Sequence, residues 1–248
     1  MIRLPIVGSS GHYELAPSKI IAVGLNYREH VAESPSILAA RAAGRDRDGA
    51  PGAAPELPAR PVLFVKTPNV LVGAGEPIVI PRRFLAEEEG LAAPRTDYEA
   101  ELAVVVGRRC RDLSPAEALA CVLGYTCFND VSQRDVQNAD RSGWWRGKSF
   151  DGFGPVGPAL LPAALCPDPQ ELTIECRLNG RVVQRSGAAA MIFTVAEILS
   201  YISRNLTLEP GDLVATGTPS GVGPLADGDL VEVEIGGIGV LANPVREA

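Results

Sequence analysis

The segment Asp97-Tyr98-Glu99-Ala100-Glu101 runs straight into the apolar Val104-Val105-Val106. In an extended chain the period of two puts Asp97, Glu99 and Glu101 on one face. Acidic side chains usually mark a solvated strand face, but these lead into a stretch that reads as buried, where uncompensated negative charge is costly. A divalent cation is the simplest compensation. Hard carboxylate oxygens with no nearby His or Cys select Mg²⁺, Mn²⁺ or Ca²⁺ rather than zinc. Asp130, which ends the apolar segment Val122 to Phe128, is the best candidate for a further ligand. On spacing alone the metal centre and the solvated face both stay open.

The chain has only two histidines, His12 and His30, so chemistry that needs imidazole must use one of them. His30 and Glu33 stand at i, i+3, adjacent on a helix. A carboxylate beside imidazole orients it and raises its basicity, although a chance pair on an exposed helix has the same spacing. Trp144 to Asp151 gathers two Trp, Arg146 and Lys148 into a loop. Lys148 is a candidate to anchor an anionic substrate or stabilise an oxyanion, the alternative being a surface lysine. The glycine-rich loop Gly217 to Gly223 lacks the Lys-Ser/Thr of a phosphate-binding loop. Gly221, Gly223 and Ala226 formally satisfy G-x-G-x-x-A, but Pro224 and the Asp227-Gly228 turn oppose a helix there, which argues against dinucleotide binding. A backbone-rich wall with Thr218 facing a small carboxylate fits better.

Short strands must position these groups. Apolar runs bounded by turn residues predict strands at Ile20–Leu25, Val62–Lys66, Pro77–Ile80, Leu102–Val106, Leu172–Leu178, Leu213–Thr216 and Leu230–Ile235. Asn179-Gly180 is a strong hairpin signal because both turn positions favour positive φ, and Gly236-Gly237 marks a second. Ser114-x-x-Glu117 and Thr194-x-x-Glu197 fit the capping box of helix starts. Further short helices are expected near Ser132 and over Tyr27 to Glu33. Residues 36–60 are rich in Ala, Gly and Pro, with a mixed-charge cluster at Arg41, Arg45, Asp46, Arg47 and Asp48. They read as a long mobile loop.

Composition narrows the class. At 248 residues, one core is expected, and 26 glycines with 21 prolines exceed the usual share of roughly one residue in eight and disfavour a helical bundle. A net charge of -7 repels phosphate backbones, so no nucleic-acid partner is expected. No apolar segment approaches a membrane span, which predicts no membrane association. Five scattered cysteines with no C-x-x-C pair argue against a disulfide framework or a thiolate zinc site. A cytoplasmic location with reduced thiols is the expectation.

Taken together, Lys19 to His30, Asp97 to Glu101, Phe128-Asn129-Asp130, Arg134 to Gln137, Gly147 to Asp151 and Gly217 to Gly223 resemble, in order and spacing, the fumarylacetoacetate hydrolase family. The closest likeness is to its short single-domain branch, which includes acylpyruvate hydrolases and oxaloacetate decarboxylases. The resemblance implies a strand-rich α+β fold with mixed sheets and short helices, like that family's C-terminal domain. It implies a homodimer and one Mg²⁺ or Mn²⁺ held by Glu99, Glu101 and Asp130, with Asp97 outside the ligand set. It maps substrate contacts to Arg134, Gln137 and Thr218, with Lys148 beside them, and water activation to His30 and Glu33. Residues 1–18 are then an N-terminal extension and 19–248 a single catalytic domain with a mobile lid over about 27–60. Two departures from the family pattern are the long 36–60 loop and the acidic Glu87-Glu88-Glu89 insertion within 83–95.

The chemistry that follows is cleavage of a carbon-carbon bond in a small 2-oxo or 2,4-dioxo acid, with the cation stabilising the enolate that forms. Acylpyruvate hydrolysis and oxaloacetate decarboxylation are the leading reactions. Isomerisation of an unsaturated 2-hydroxy dioate, or metal-dependent binding without catalysis on the same scaffold, are the alternatives.

Overall fold

The computed structural model describes residues 1–33, 56–141 and 143–248. Of the segment expected to form a lid, residues 34–55 lie outside the described residues. The chain is built around β8 (Ala100–Val106), which is buried at every position. Its alternation divides two cores: Leu102, Val104 and Val106 face one, and Ala103 and Val105 face the other. Such a strand needs apolar side chains on both faces, which explains the unbroken apolar run after Glu101.

β8 sits in the middle of a seven-stranded mixed sheet. Across it run β4 (Val62–Lys66), β3 (Ile20–Gly24), β14 (Leu213–Ala215), β8, β9 (Val122–Asn129), β11 (Gly154–Pro162) and β5 (Leu71–Val72). The β3–β14 and β11–β5 pairs are parallel. The first core is closed by a five-stranded sheet of β13 (Arg181–Gly187), β12 (Thr173–Leu178), β16 (Leu230–Ile235), β17 (Gly239–Glu247) and β6 (Ile78–Ile80). Ile174, Cys176, Val231, Val233 and Leu241 line its inner face, and each fully buried aliphatic side chain contributes about 1.5–3 kcal/mol of transfer free energy. The second core is covered by the hairpin of β1 (Ile2–Pro5) and β2 (His12–Leu15), through Leu4 and Leu15.

Local signals account for the connections. Asn179 and Gly180 have φ of 53° and 76°, as the β12–β13 turn requires. Helix α6 (Val195–Asn205) starts at a capping box in which the Thr194 amide donates to Glu197 Oε2 at 2.8 Å, and it buries Val195, Ile198, Leu199 and Ile202. The remaining α-helices among the described residues are α1 (Arg28–Glu33), α2 (Arg82–Glu87), α3 (Pro115–Ala118), α4 (Arg134–Ala139) and α5 (Trp145–Lys148). The helix expected near Ser132 begins two residues later, because Ser132 and Gln133 form the short strand β10 (Ser132–Gln133) and Gln133 caps α4 by accepting from the Val136 amide at 2.7 Å. β10 joins β7 (Thr96–Tyr98) and β15 (Gly223–Pro224) in a three-stranded sheet. That small sheet brings the acidic segment, the arginine helix and the glycine-rich loop together. All five cysteines are buried and unpaired. No helix among the described residues is long and apolar enough to cross a membrane.

Candidate metal centre and active site

The acidic run does not form one continuous strand. β7 stops at Tyr98 and β8 starts at Ala100, leaving Glu99 at the break. There its amide donates to Asn129 Oδ1 at 2.9 Å, and its carbonyl accepts from the Asp130 amide at 2.8 Å. These backbone ties fix Asp130 beside the Glu99–Glu101 pair. Ligand oxygens of Glu99, Glu101 and Asp130 lie within 4.8 Å of one another. The three residues are 4%, 1% and 0% exposed, which eliminates the solvated-face reading.

Their partners are unequal. Lys148 Nζ donates to Glu99 Oε2 at 2.7 Å and to Asp130 Oδ2 at 2.6 Å, while Lys66 Nζ donates to Asp130 Oδ1 at 2.5 Å. Arg134 Nη2 pairs with Glu99 Oε1. Although burial alone would raise it, the carboxyl of Glu99 is held well below the usual range by Arg134 and Lys148. Among the described residues Glu101 has no such cation in contact. Its hydrogen bond among them comes from the Gly217 amide to Oε2 at 2.8 Å, and burial, with Asp130 and Glu99 nearby, pushes its carboxyl well above the usual range. A buried carboxylate without a cation beside two paired ones is what a divalent ion would compensate, and three oxygen donors suit Mg²⁺ or Mn²⁺. The residues present therefore fit that metal.

The supports of this cluster come from distant parts of the chain. Asp97 accepts from Arg95 Nε and Arg134 Nε, both at 2.8 Å, and so orients Arg134 instead of facing the metal ligands. Arg134 Nη1 also donates to Gln137 Oε1 at 3.0 Å. Gly217 has φ of 100°, and a Cβ there would meet Asn26 Cβ at 2.8 Å, so only glycine brings this amide to Glu101. Asn26 in turn donates to the carbonyls of Thr216 and Phe193, at 2.8 and 3.1 Å. Gln184 Nε2 donates to Thr218 Oγ1 at 2.8 Å, and its Oε1 accepts from the Ala100 amide at 3.0 Å, tying the glycine-rich loop to the acidic strand.

One cleft is lined by Glu99, Glu101, His30, Arg134, Gln137, Lys148 and Thr218, so most of the residues read from the sequence face one space. His30 is 8% exposed, and among the described residues its Nδ1 has no hydrogen-bond partner. Burial holds its pKa below the ordinary value, leaving it neutral at pH 7. Glu33 does not hydrogen-bond His30. Its Oε2 accepts from the Gly221 amide at 2.8 Å, locking α1 to the glycine-rich loop. Lys66 and Gln184 are the residues that sequence reasoning passes over. Lys66 ends a predicted strand, and its only local signal is a cation closing an apolar run.

A model of the C-terminal region of fumarylacetoacetate (FAA) hydrolase matches residues 19–246 of this sequence. The chain belongs to the fumarylacetoacetate hydrolase family. Among relatives in this family, a fumarylacetoacetate hydrolase domain-containing protein 2 homolog of Dictyostelium discoideum is 38% identical over 261 residues, 98% of this chain and 76% of that protein. Fumarylpyruvate hydrolase from Pseudomonas aeruginosa, solved with Mn²⁺ and pyruvate, superimposes with a TM-score of 0.78 at 30% identity, covering 100% of this chain and 96% of that one. A 2-hydroxyhepta-2,4-diene-1,7-dioate isomerase from Mycobacterium marinum gives a TM-score of 0.75 at 39% identity, covering 94% and 76%. The strand-rich α+β fold with mixed sheets is that of the family's C-terminal domain.

Proposed function

We propose that this protein is a Mg²⁺- or Mn²⁺-dependent enzyme that cleaves a carbon-carbon bond in small 2-oxo or 2,4-dioxo acids, releasing pyruvate from an acylpyruvate or from oxaloacetate. The observation that carries this reading is the buried triad Glu99, Glu101 and Asp130, with Glu101 lacking a cation contact among the described residues, two of whose members, Glu99 and Glu101, line one cleft with Lys148, Arg134 and neutral His30. The Mn²⁺ and pyruvate bound to the Pseudomonas fumarylpyruvate hydrolase support it.

Glu99, Glu101 and Asp130 would hold the ion, which when bound supplies electrophilic stabilisation of an enolate. Arg134 and Gln137 bind and orient the substrate carboxylate, with Arg134 kept rigid by Asp97. Lys148 neutralises the negative charge that develops as the bond breaks. For hydrolysis, His30 takes a proton from water as the oxygen attacks the distal carbonyl. The bond between that carbonyl and its neighbour then breaks, leaving a carboxylic acid and the enolate of pyruvate, which is reprotonated. Decarboxylation forms the same enolate by loss of carbon dioxide and needs no attacking water. Thr218, held by Gln184, closes the carboxylate end with its hydroxyl.

Incubation with acetylpyruvate and oxaloacetate, metal-stripped and then with Mg²⁺ or Mn²⁺ restored, tests this directly by pyruvate release. Metal-dependent pyruvate formation is the expected result, and none from any 2-oxo or 2,4-dioxo acid would overturn the reading. The isomerase reading is favoured by one observation, that Glu33 bonds Gly221 and not His30, so His30 lacks the carboxylate partner expected of a water-activating pair. Isomerised product without pyruvate would select it.

A further inference from the structure

Resting on the proposed function, the shape of the same cleft names the tail of its substrate. Part of the cleft's lining is apolar. Lys148 Nζ lies 5.0 Å from the centre of the Phe64 ring, and Phe64 meets Trp144 edge-on with ring centres 5.5 Å apart. Val23 and Leu25 complete this wall. Trp144 takes a left-handed backbone conformation, φ 72°, a costly choice for a bulky residue, and its ring is pressed onto the Gly24 backbone. A Cβ on Gly24 would lie 2.7 Å from Trp144 Cζ3, so any other residue there displaces the ring. Two independent features, a left-handed tryptophan and a glycine with no room for a side chain, thus hold one indole in the wall of the cleft.

Charge points the same way. Among the described residues, the cations lining the cleft are Arg134 and Lys148, and both already face carboxylates. The four buried carboxylates Asp97, Glu99, Glu101 and Asp130 are equalled in number by Lys66, Arg95, Arg134 and Lys148, which pair with all of them but Glu101. A divalent ion adds two positive charges, which a 2-oxo monocarboxylate passing through an enolate balances. A second carboxylate on the tail would lie unpaired against Phe64 and Trp144, where desolvation is costly.

We propose that Val23, Leu25, Phe64 and Trp144 form a subsite for an uncharged alkyl or aryl tail, so that the preferred substrates are 2-oxo monocarboxylates with an apolar acyl end and not dicarboxylates. The test is calorimetric binding of 2-oxohexanoate and 2-oxoadipate to the Mg²⁺-loaded protein. Alongside it runs kcat/KM for two 2,4-dioxo acids of equal length, one ending in alkyl and one in carboxylate. The alkyl-ended ligand should bind, and the alkyl-ended substrate react, better by about tenfold or more. Trp144→Ala should remove that preference while leaving oxalate, which has no tail, bound as in wild type. Equal or better use of the carboxylate tail would overturn the subsite even with pyruvate released, and so would a loss of oxalate affinity in Trp144→Ala as large as the loss for 2-oxohexanoate. A tail preference in binding without turnover of any substrate would uphold the subsite and defeat the proposed reaction.

Discussion

Lys66, the last residue of β4, and Asp130, the residue after β9, meet at 2.5 Å with both side chains removed from solvent. Burial depresses the Lys66 ammonium to about 8, a shift that Asp130 partly offsets. Lys66→Met leaves Asp130 Oδ1 without its cation, although Lys148 still holds the other oxygen. The metal-free protein should lose about 3 kcal/mol, the low end for breaking a buried pair. Added Mg²⁺ should recover more stability in the variant than in wild type, measured by thermal unfolding in both states. A variant with an unchanged unfolding midpoint would show that the pair contributes nothing.

His30 should matter for hydrolysis and little for decarboxylation, because only the former needs an activated water. His30→Ala should cut acylpyruvate hydrolysis by about 10²–10⁴-fold and oxaloacetate decarboxylation by less than about tenfold. Equal losses with metal binding intact would give His30 a structural or general proton-transfer role.

The depressed pKa of His30 sets a pH signature. Burial disfavours the imidazolium, so the folded chain binds fewer protons than the unfolded chain between the folded pKa and the ordinary 6.5. The stability this group contributes is lost as pH falls through that window. The acid limb of hydrolytic kcat/KM should lie below pH 6.5 in wild type. An acid limb above that value would contradict the buried, neutral imidazole.

Asp97 acts through Arg134. Asp97→Asn should raise KM by about tenfold while kcat falls by less than about threefold, because the guanidinium loses its fixed direction but keeps Glu99. A fall in kcat with KM unchanged would place Asp97 nearer the reacting atoms.

The acids, Lys148, Arg134 and Gln137 were legible because their order and spacing match a family pattern and because an acidic run entering an apolar strand is physically awkward. The apolar runs made most strands legible, and Asn179-Gly180 the β12–β13 hairpin, but the single core expected from chain length is instead two, divided by β8. Long-range pairing was not. Lys66 reaches Asp130 only because β4 and β9 belong to one sheet, and no local pattern states that. Gln184 looks like an ordinary polar residue after a hairpin, yet it is 1% exposed and bonds Ala100, Thr218 and Pro219. β11 escaped because Pro155, Pro158 and Pro162 argue against a strand, whereas a register shift between Gly157 and Leu161 accommodates the break in pairing. The His30–Glu33 pair followed from helical spacing, but the Gly221 amide offered Glu33 a hydrogen bond that spacing cannot reveal.

The most direct test is calorimetric titration of Mn²⁺ into wild type and Glu101→Gln, each in buffers of different ionisation enthalpy. Burial and the neighbouring carboxylates raise the Glu101 pKa without metal, so the ion competes with a proton for this carboxylate, and affinity should fall as pH drops. Wild type should bind one ion with proton release. Glu101→Gln, which mimics the neutral acid and should fold as well as wild type, should bind far more weakly and release no proton. Undiminished Mn²⁺ affinity in a folded Glu101→Gln would show that Glu99, Glu101 and Asp130 are not the metal centre.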